Sequence, residues 1–277
     1  EMTWWQHLPE KMSPTIFGIG SFQLRWYGMM YILAFATVYL LVMARYKLEK
    51  PKIDLEVAQN WFMYAILGVI LGGRIGYVLF YDPGMILTNP LGILLPVDVN
   101  NGFRFTGLAG MSYHGGVIGV ALLSMLYVRQ QKIGFWALAD LVVPAIPLGY
   151  TFGRLGNFIN GELYGRVTDV AWGMYFPDDF SQQLRHPSQL YEALFEGIAL
   201  FALLWMIRNN KKLTHLMFPI YLIGYGVARF FIEFVRQPDA HLGTIFGPFS
   251  MGQILCFAMI AAGFGLIALI RRQPRQR

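Results

Sequence analysis

The sequence predicts an all-α integral membrane protein with seven transmembrane helices. Composition is the first observation behind this fold class, because 56% of the 277 residues are hydrophobic and only 14% are charged. Soluble domains carry roughly 25% charged residues. Pattern is the second, because the apolar residues are gathered into seven long runs. A helix of roughly 20 apolar residues crosses the core of a bilayer.

These runs set the predicted boundaries of the spans. They cover residues 26–43, 57–81, 107–128, 133–152, 188–207, 216–235 and 245–270. Long connections are predicted at residues 82–106, 153–187 and 236–244. The chain shows no internal repeat and no second domain, so residues 1–277 are predicted to form a single polytopic membrane domain.

Basic residues follow every second predicted span, and they set the predicted orientation. Four short segments hold 13 of the 22 lysines and arginines: Arg45, Lys47, Lys50, Lys52, Arg129, Lys132, Arg208, Lys211, Lys212, Arg271, Arg272, Arg275 and Arg277. The positive-inside rule makes these segments cytoplasmic. The N-terminus is then outside, the C-terminus is cytoplasmic and the long connections are periplasmic. The net charge of +6 is explained by orientation, so we expect no nucleic-acid partner.

Cysteine and histidine usage excludes two further classes of protein. The chain has one cysteine, Cys256, which cannot close an intrachain disulfide, and its five histidines are scattered. No cluster has the spacing of metal ligands, so we expect no metal site.

The first 25 residues lack a basic segment followed by an apolar one, so we expect no cleavable signal peptide.

Several ionisable residues lie inside the predicted spans, where an Arg, Lys or Asp costs about 2.5–3.5 kcal/mol. Arg229 and Glu233 are four residues apart on one helix face, and the simplest interpretation is that they neutralise each other. Tyr225 extends the same face, which is more polarity than an ion pair needs. Glu192 and Glu196 begin the fifth span and are interpreted as structural, because carboxylates suit a helix N-terminus.

Two motifs point to chemistry. His114 is followed by two glycines where an outer connection enters a span. A histidine is the natural base near neutral pH, although a histidine packed at a glycine-lined helix crossing is an equal alternative.

Residues 153–166 read GRLGNFINGELYGR, directly after the fourth span. Their two arginines suit an anionic head group, because a guanidinium donates two parallel hydrogen bonds to a phosphate, whereas a plain surface loop needs no arginine there.

A third motif, RHPSQLYE at residues 185–192, opens the fifth span. Proline followed by serine is an ordinary helix start. His186 is a possible catalytic residue, but capping and anchoring of the loop explain the motif nearly as well.

Taken together, these motifs resemble the prolipoprotein diacylglyceryl transferase family of bacterial membrane enzymes. The resemblance covers nearly the whole chain. It also includes RWYG at 25–28, GGRIGY at 72–77, GYG at 224–226 with Arg229 and Glu233, and RQPD at 236–239.

The resemblance implies a reaction and a location. Members move the diacylglyceryl group of phosphatidylglycerol to the thiol of the lipobox cysteine of a preprolipoprotein, and the other product is glycerol phosphate. It also implies seven spans with the N-terminus outside, the bacterial cytoplasmic (inner) membrane, and no metal or cofactor.

Roles for individual residues follow from that reaction. His114 is the expected base, and Arg154 and Arg229 are expected to hold the phosphate. Glu162 and Glu233 either orient the arginines or help to take the proton. The expected catalytic residues are His114, Arg154, Arg229, Tyr225, Glu162 and Glu233. The expected phosphatidylglycerol-binding residues are Arg154, Arg229, Tyr27, Asn157, Gly165 and His114, with Gly165 serving the shape of the backbone.

Two other classes of function remain open at this stage. An anion transporter or channel also has buried arginines, but it predicts internal repeats and polar residues near the bilayer midplane. A phospholipid-binding scaffold without catalysis is the other alternative. An assay of purified protein with phosphatidylglycerol and a lipobox peptide distinguishes them.

Overall fold

The computed structural model describes residues 3–19, 22–93, 97–98, 104–105, 111–237, 244–246 and 249–272. The described chain is mostly helical. Its α-helices are α1 (Leu8–Lys11), α2 (Trp26–Leu48), α3 (Leu55–Tyr81), α4 (Met85–Thr88), α5 (Tyr113–Gln130), α6 (Phe135–Val142), α7 (Ile146–Ile159), α8 (Ser188–Tyr191), α9 (Leu200–Ile207), α10 (Met217–Ile232) and α11 (Met251–Arg272). A π-helix, Glu192–Ala199, joins α8 to α9. Short 3₁₀ turns lie at Leu91–Ile93, Val143–Ala145 and Lys211–Leu213.

Short antiparallel strand pairs lie between the helices. β1 (Thr15–Ile19) pairs with β2 (Phe22–Arg25), β3 (Val97–Asp98) with β4 (Arg104–Phe105), and β5 (Thr244–Phe246) with β6 (Phe249–Ser250). β2 leads directly into α2, and β6 leads directly into α11. Two of the strand pairs therefore lead into long helices. The mostly helical fold class predicted from composition is confirmed.

Among the described residues, five helices are long and apolar enough to cross a membrane. They are Trp26–Leu48, Leu55–Phe80, Phe135–Ile159, Ser188–Ile207 and Met251–Arg272. Shorter apolar helices, Gly115–Gln130 and Met217–Ile232, fall where the third and sixth spans are predicted. The chain is thus a mostly helical, multi-pass membrane protein, whereas seven crossings and their orientation stay predictions.

One predicted boundary is wrong in a way that matters for the site. The fourth span was predicted to end at residue 152, but α7 continues to Ile159. Packing explains the extension, because Gly156 lies against α2, where an added Cβ would stand 3.3 Å from Tyr27 and from Met30. The first part of the GRLGNFINGELYGR motif is therefore helical, and Arg154 projects from a helix rather than from a loop.

Other ends differ by fewer residues. The third span begins at Tyr113 instead of 107, because the Ser112 hydroxyl caps the helix by accepting from the Gly115 amide at 3.2 Å. The seventh begins at Met251 instead of 245, because the preceding residues form β5 and β6. The sixth ends at Ile232 instead of 235, and the first continues to Leu48 instead of 43.

The chain divides into two compact units. One contains Glu1–Glu49 with Ala139–Arg277, and the other contains Lys50–Leu138. In the second unit, glycines let α3 and α5 approach closely. A Cβ at Gly76 would stand 2.8 Å from the Cα of Gly115, and a Cβ at Gly72 would collide with the Gly115 carbonyl. Gly115 of the HGG motif therefore lies in a helix–helix contact.

In the first unit, α7 packs tightly against the π-helix. A Cβ at Gly197 would collide with the Thr151 hydroxyl, so only glycine permits this approach. That hydroxyl donates to the carbonyl of Pro147 at 3.2 Å. The contact brings the polar face of α7 beside the two glutamates of the π-helix, and the candidate site lies there. π-helical turns occur frequently at functional sites.

Candidate active site

Arg154 on α7 is held by groups from its own helix and from the π-helix. Its Nε donates to the Tyr150 hydroxyl at 2.7 Å, and its Nη1 donates to Oδ1 of Asn157 at 3.2 Å. Its Nε also lies 2.8 Å from Oε2 of Glu192. Tyr150 and Asn157 are one turn away on either side, so the helix itself fixes the direction of the guanidinium.

Glu162 orients the partner of Arg154. Its Oε1 accepts from Nδ2 of Asn157 at 2.8 Å and from Nδ2 of Asn160 at 3.4 Å. The chain turns back after α7 at Gly161, whose φ is +71°. This left-handed turn suits glycine and brings Glu162 back over the helix end. Glu162 therefore acts on Arg154 through Asn157.

Arg229 on α10 lies among three carboxylates. Its Nη1 is 3.3 Å from Oε1 of Glu192 and 3.7 Å from Oε1 of Glu196. Its Nη2 is 3.4 Å from Oε2 of Glu233. The ion pair of Arg229 with Glu233 that the sequence suggests is present, but it is one contact of several.

Glu233 is also fixed by the start of α11. The Ser250 hydroxyl donates to Oε1 of Glu233 at 3.2 Å. A Cβ at Gly252 would stand 2.5 Å from the same oxygen, so the glycine leaves room for the carboxylate. A carboxylate is stabilised at the N-terminus of a helix. Glu233 is thereby held between α10 and α11.

Glu192 and Glu196 are the residues whose importance the sequence reasoning missed. Both are fully buried, with 0% of each residue exposed, and both lie in the π-helix. The Tyr150 hydroxyl donates to Oε2 of Glu196, and Nε of Arg236 lies 3.8 Å from Oε1 of Glu192. Two carboxylates inside an apolar run were the available signal, and interpreting them as helix-start residues overlooked that such buried charges need partners.

The carboxylates of this site are incompletely hydrogen-bonded. Neither oxygen of Glu192 accepts a hydrogen bond from the described residues, and the same holds for Oε1 of Glu196 and Oε2 of Glu233. Buried polar atoms are nearly always satisfied, so exceptions of this kind call for an explanation. Ion pairs at 2.8–3.8 Å are the contacts these oxygens make.

Comparison with known proteins identifies the family of the chain. The family model described as prolipoprotein diacylglyceryl transferase matches residues 14–269. The chain belongs to this family.

Three relatives carry the name phosphatidylglycerol–prolipoprotein diacylglyceryl transferase. The protein of Chlorobaculum tepidum is 56% identical, over 96% of this chain and 92% of its own length. That of Bordetella avium is 44% identical, over 96% and 98% respectively. That of Geobacter sulfurreducens is 46% identical, over 95% and 96%.

Two tyrosines expected to contact lipid lie against α7, the helix that carries Arg154. The Tyr225 ring meets the Tyr150 ring edge to face, with centroids 5.8 Å apart. The Tyr27 hydroxyl lies 3.0 Å from that of Tyr31, and the Tyr27 ring packs near Gly156. Both tyrosines are partly exposed.

Gly165 stands where three chain segments meet. Its amide donates to the His186 carbonyl at 2.8 Å, and it forms an antiparallel bridge with Arg236. A Cβ would stand 2.5 Å from the Val235 carbonyl oxygen. His186 lies in the same junction, with its Nδ1 3.1 Å from the Tyr191 hydroxyl, and burial lowers the pKa of its imidazole. This geometry gives His186 an anchoring position.

His114 is the second residue of α5, in the unit formed by residues 50–138. Its side chain lies outside the described residues, so its role as the base of this transferase stays a prediction. Within the described part of the chain, no three His, Cys, Asp or Glu residues are grouped as metal ligands. What the described site offers is two guanidiniums, each beside buried carboxylates, and a guanidinium suits recognition of a phosphate.

Proposed function

We propose that this chain transfers the diacylglyceryl group of phosphatidylglycerol to the lipobox cysteine of a preprolipoprotein. The observation that carries the proposal is the convergence of Arg154 and Arg229 on one buried carboxylate, that of Glu192. Two guanidiniums held together in this way suit an anion with several oxygens, such as the phosphate of a lipid. Membership of the family supplies the chemistry.

The reaction needs positive charge beside the leaving group. The thiolate attacks the glycerol C3 of the lipid, a sulfur–carbon bond forms, and the bond from that carbon to the phosphate oxygen breaks. The bonding electrons leave with glycerol phosphate, whose leaving oxygen gains negative charge. Fixed donors aimed at such a charge lower the barrier, and one of them contributes on the order of 10²–10³ in rate.

The attacking thiol must lose its proton first, because a free cysteine has a pKa of about 8.5. We assign this proton to His114. The two rival carboxylates are engaged elsewhere: Glu162 accepts from Asn157 at 2.8 Å, and Glu233 binds Ser250 and Arg229. These contacts favour an orienting role for both glutamates.

The polar side chains around the arginines suit the glycerol of the head group. Tyr27, Tyr225 and Asn157 carry donors and acceptors that pair with hydroxyl groups. Phosphatidylethanolamine has no such hydroxyls and adds a cation beside the arginines. We assign Gly165 to the shape of the backbone beside the candidate site, because no side chain fits there.

The proposed setting is the bacterial cytoplasmic membrane. The chain would cross it seven times as one polytopic domain, with the N-terminus outside, and would need no cofactor and no nucleic acid. Reporter fusions test this arrangement: those after Lys47, Lys132 and Lys211 should report cytoplasm, and one at Thr168 should report periplasm. A single fusion on the wrong side contradicts the seven-span topology.

A mass measurement tests the activity. Purified protein is incubated with phosphatidylglycerol and a lipobox peptide, and the peptide's cysteine is expected to gain the mass of a diacylglyceryl group. A peptide with serine in place of cysteine, and vesicles of phosphatidylethanolamine alone, are the matched controls. Lipid binding without any mass gain would instead identify a scaffold, and anion flux into vesicles without transfer would identify a transporter.

A further inference from the structure

Glu192 contacts arginines from three parts of the chain. Its Oε2 lies 2.8 Å from Nε of Arg154 on α7, and its Oε1 lies 3.3 Å from Nη1 of Arg229 on α10. The same Oε1 is 3.8 Å from Nε of Arg236, which follows α10. We call Glu192, Arg154 and Arg229 the Glu192 cluster. Each of its two arginines faces a different oxygen of one carboxylate.

Among the described residues, arginines are the groups that contact the carboxylate of Glu192. Glu192 is completely buried, and neither of its oxygens accepts a hydrogen bond from the described residues. A buried charge is costly unless a partner compensates it. The arginines are the described partners, so the positions of carboxylate and guanidiniums depend on one another.

The backbone holds Glu192 rigidly in this position. Glu192 is the first residue of the π-helix. This helix packs directly against α7, where Gly197 lies against Thr151. Just before it, the fully buried Gln189 donates through Nε2 to the Glu162 carbonyl at 2.6 Å. The chain is thus anchored before and after Glu192, which gives this side chain a fixed starting point beside two longer arginines.

We propose that Glu192 is a positioning residue that sets the spacing of Arg154 and Arg229 for the lipid phosphate. This proposal rests on the proposed function. Glu192 does not touch the reacting atoms. It acts through the two guanidiniums, which on either side of a single carboxylate are held at a separation suited to the oxygens of a single phosphate.

A simpler electrostatic role predicts the opposite kinetics. If Glu192 only neutralises the arginines, its negative charge opposes the phosphate, and removing that charge lowers the KM for phosphatidylglycerol. If Glu192 positions them, removing the charge lets two like-charged guanidiniums move apart. Misplacement by about 1 Å costs on the order of 100-fold in rate. The KM then rises and kcat falls.

The test compares Glu192→Gln with Glu192→Asp in the diacylglyceryl transfer assay. Glutamine keeps the shape and loses the charge, so we expect kcat/KM to fall on the order of 100-fold through both constants. Aspartate keeps the charge but is one methylene shorter, so its carboxylate cannot contact both arginines as closely as that of Glu192. We therefore expect Glu192→Asp to have an activity between those of the wild type and Glu192→Gln. Combining Glu192→Gln with Arg229→Lys should cost less than the product of the single effects, because both changes break one unit.

Glu49 provides a matched control. Its two oxygens also bind two arginines, accepting from Nε of Arg45 at 2.7 Å and from Nε of Arg208 at 2.6 Å, away from the candidate site. We call these residues the Glu49 cluster. Glu49→Gln should lower the unfolding temperature and leave kcat and KM per folded molecule unchanged.

The outcomes separate the proposals. A lowered KM in Glu192→Gln, or a loss of stability with unchanged kcat and KM, overturns the positioning role. If Glu192→Gln does not fold, wild-type constants in Glu192→Asp overturn it equally. If the wild-type protein and Glu49→Gln both fail to modify the peptide, the proposed function fails instead.

Discussion

The Glu192 cluster and the Glu49 cluster are built from the same kinds of side chain, but they differ in how fully the carboxylate is hydrogen-bonded. In each, one glutamate bridges two arginines from different helices. In the Glu49 cluster both contacts are short, at 2.7 and 2.6 Å. In the Glu192 cluster they are 2.8 and 3.3 Å, and neither carboxylate oxygen accepts a hydrogen bond from the described residues.

The surroundings of the Glu49 cluster complete it. Nη1 of Arg45 donates to the carbonyls of Asp140 and Leu141, each at 2.7 Å, and the guanidinium of Arg208 lies 4.0 Å from the ring centroid of Trp205. Burial acts to raise the pKa of Glu49, but the hydrogen bonds from Arg45 and Arg208 outweigh it and lower that pKa. This cluster joins α2 to the chain before α7 and to the end of α9.

We interpret the difference as that between a structural ion pair and the ligand-binding cluster we propose. The three contacts of Arg229 with carboxylates are long, at 3.3–3.7 Å, so its guanidinium can turn towards another anion more easily than those of Arg45 and Arg208, which lie 2.7 and 2.6 Å from Glu49. Natural proteins tolerate buried carboxylate oxygens without hydrogen-bond donors mainly where function requires them. Four sets of variants test this comparison.

The largest effect is expected from removing both arginines of the Glu192 cluster. Arg154→Ala with Arg229→Ala should lower transfer by roughly 10⁴-fold or more, because each donor contributes on the order of 10²–10³. The double lysine variant should recover only part of the rate, since a point charge replaces a planar fork. Rates are measured per folded molecule. Full activity of the lysine variant would show that charge alone suffices.

Loss of the proposed base comes next. His114→Gln should slow transfer by about 10²–10⁴ at neutral pH and recover partly at high pH, where the peptide thiol ionises unaided. Glu162→Gln and Glu233→Gln should lower the rate without changing the shape of the pH profile, because their carboxylates orient other groups. A high-pH rescue in either glutamine variant, with an unaltered profile for His114→Gln, would move the base to that glutamate.

Breaking the Glu49 cluster should act on stability alone. Arg45→Ala should lower the free energy of unfolding by about 2 kcal/mol, between the values for exposed and for buried ion pairs. The carbonyls of Asp140 and Leu141 would lose their donor as well. Unfolding is followed in detergent and transfer in parallel. A change in the KM for phosphatidylglycerol would contradict the separation of the two clusters.

The smallest effect concerns another saturated pair, in the connection between α7 and α8. Arg185 donates to both oxygens of Asp179, at 2.6 and 3.0 Å, and these hydrogen bonds lower the pKa of Asp179 to about 2. A depressed pKa contributes stability above the unfolded value of about 3.9, and that stability is lost as the pH falls toward 2. Asp179→Asn should remove this part of the acid dependence in thermal unfolding. If the unfolding temperature of Asp179→Asn falls at acidic pH as much as that of the wild type, this prediction is wrong.

Sequence reasoning found the helices more reliably than their ends. Apolar runs are local, so α2, α3 and α11 follow from composition. The end of α7 does not, because Gly156 continues the helix by packing against Tyr27 and Met30 of a distant segment. The start of α11 is likewise set by β5 and β6, which need a partner strand to form.

Composition and motifs were sufficient to identify a helical membrane protein of a recognisable family. They also marked Arg229 and Glu233 as unusual, because the cost of a charge in an apolar run is a local property, and Arg154 through its motif. The tertiary structure alone decided which charges meet. Glu192 and Arg154 come together because the π-helix packs on α7 through Gly197. A contact between helices that are distant in the chain produces no regular spacing of residues, so the sequence does not indicate it.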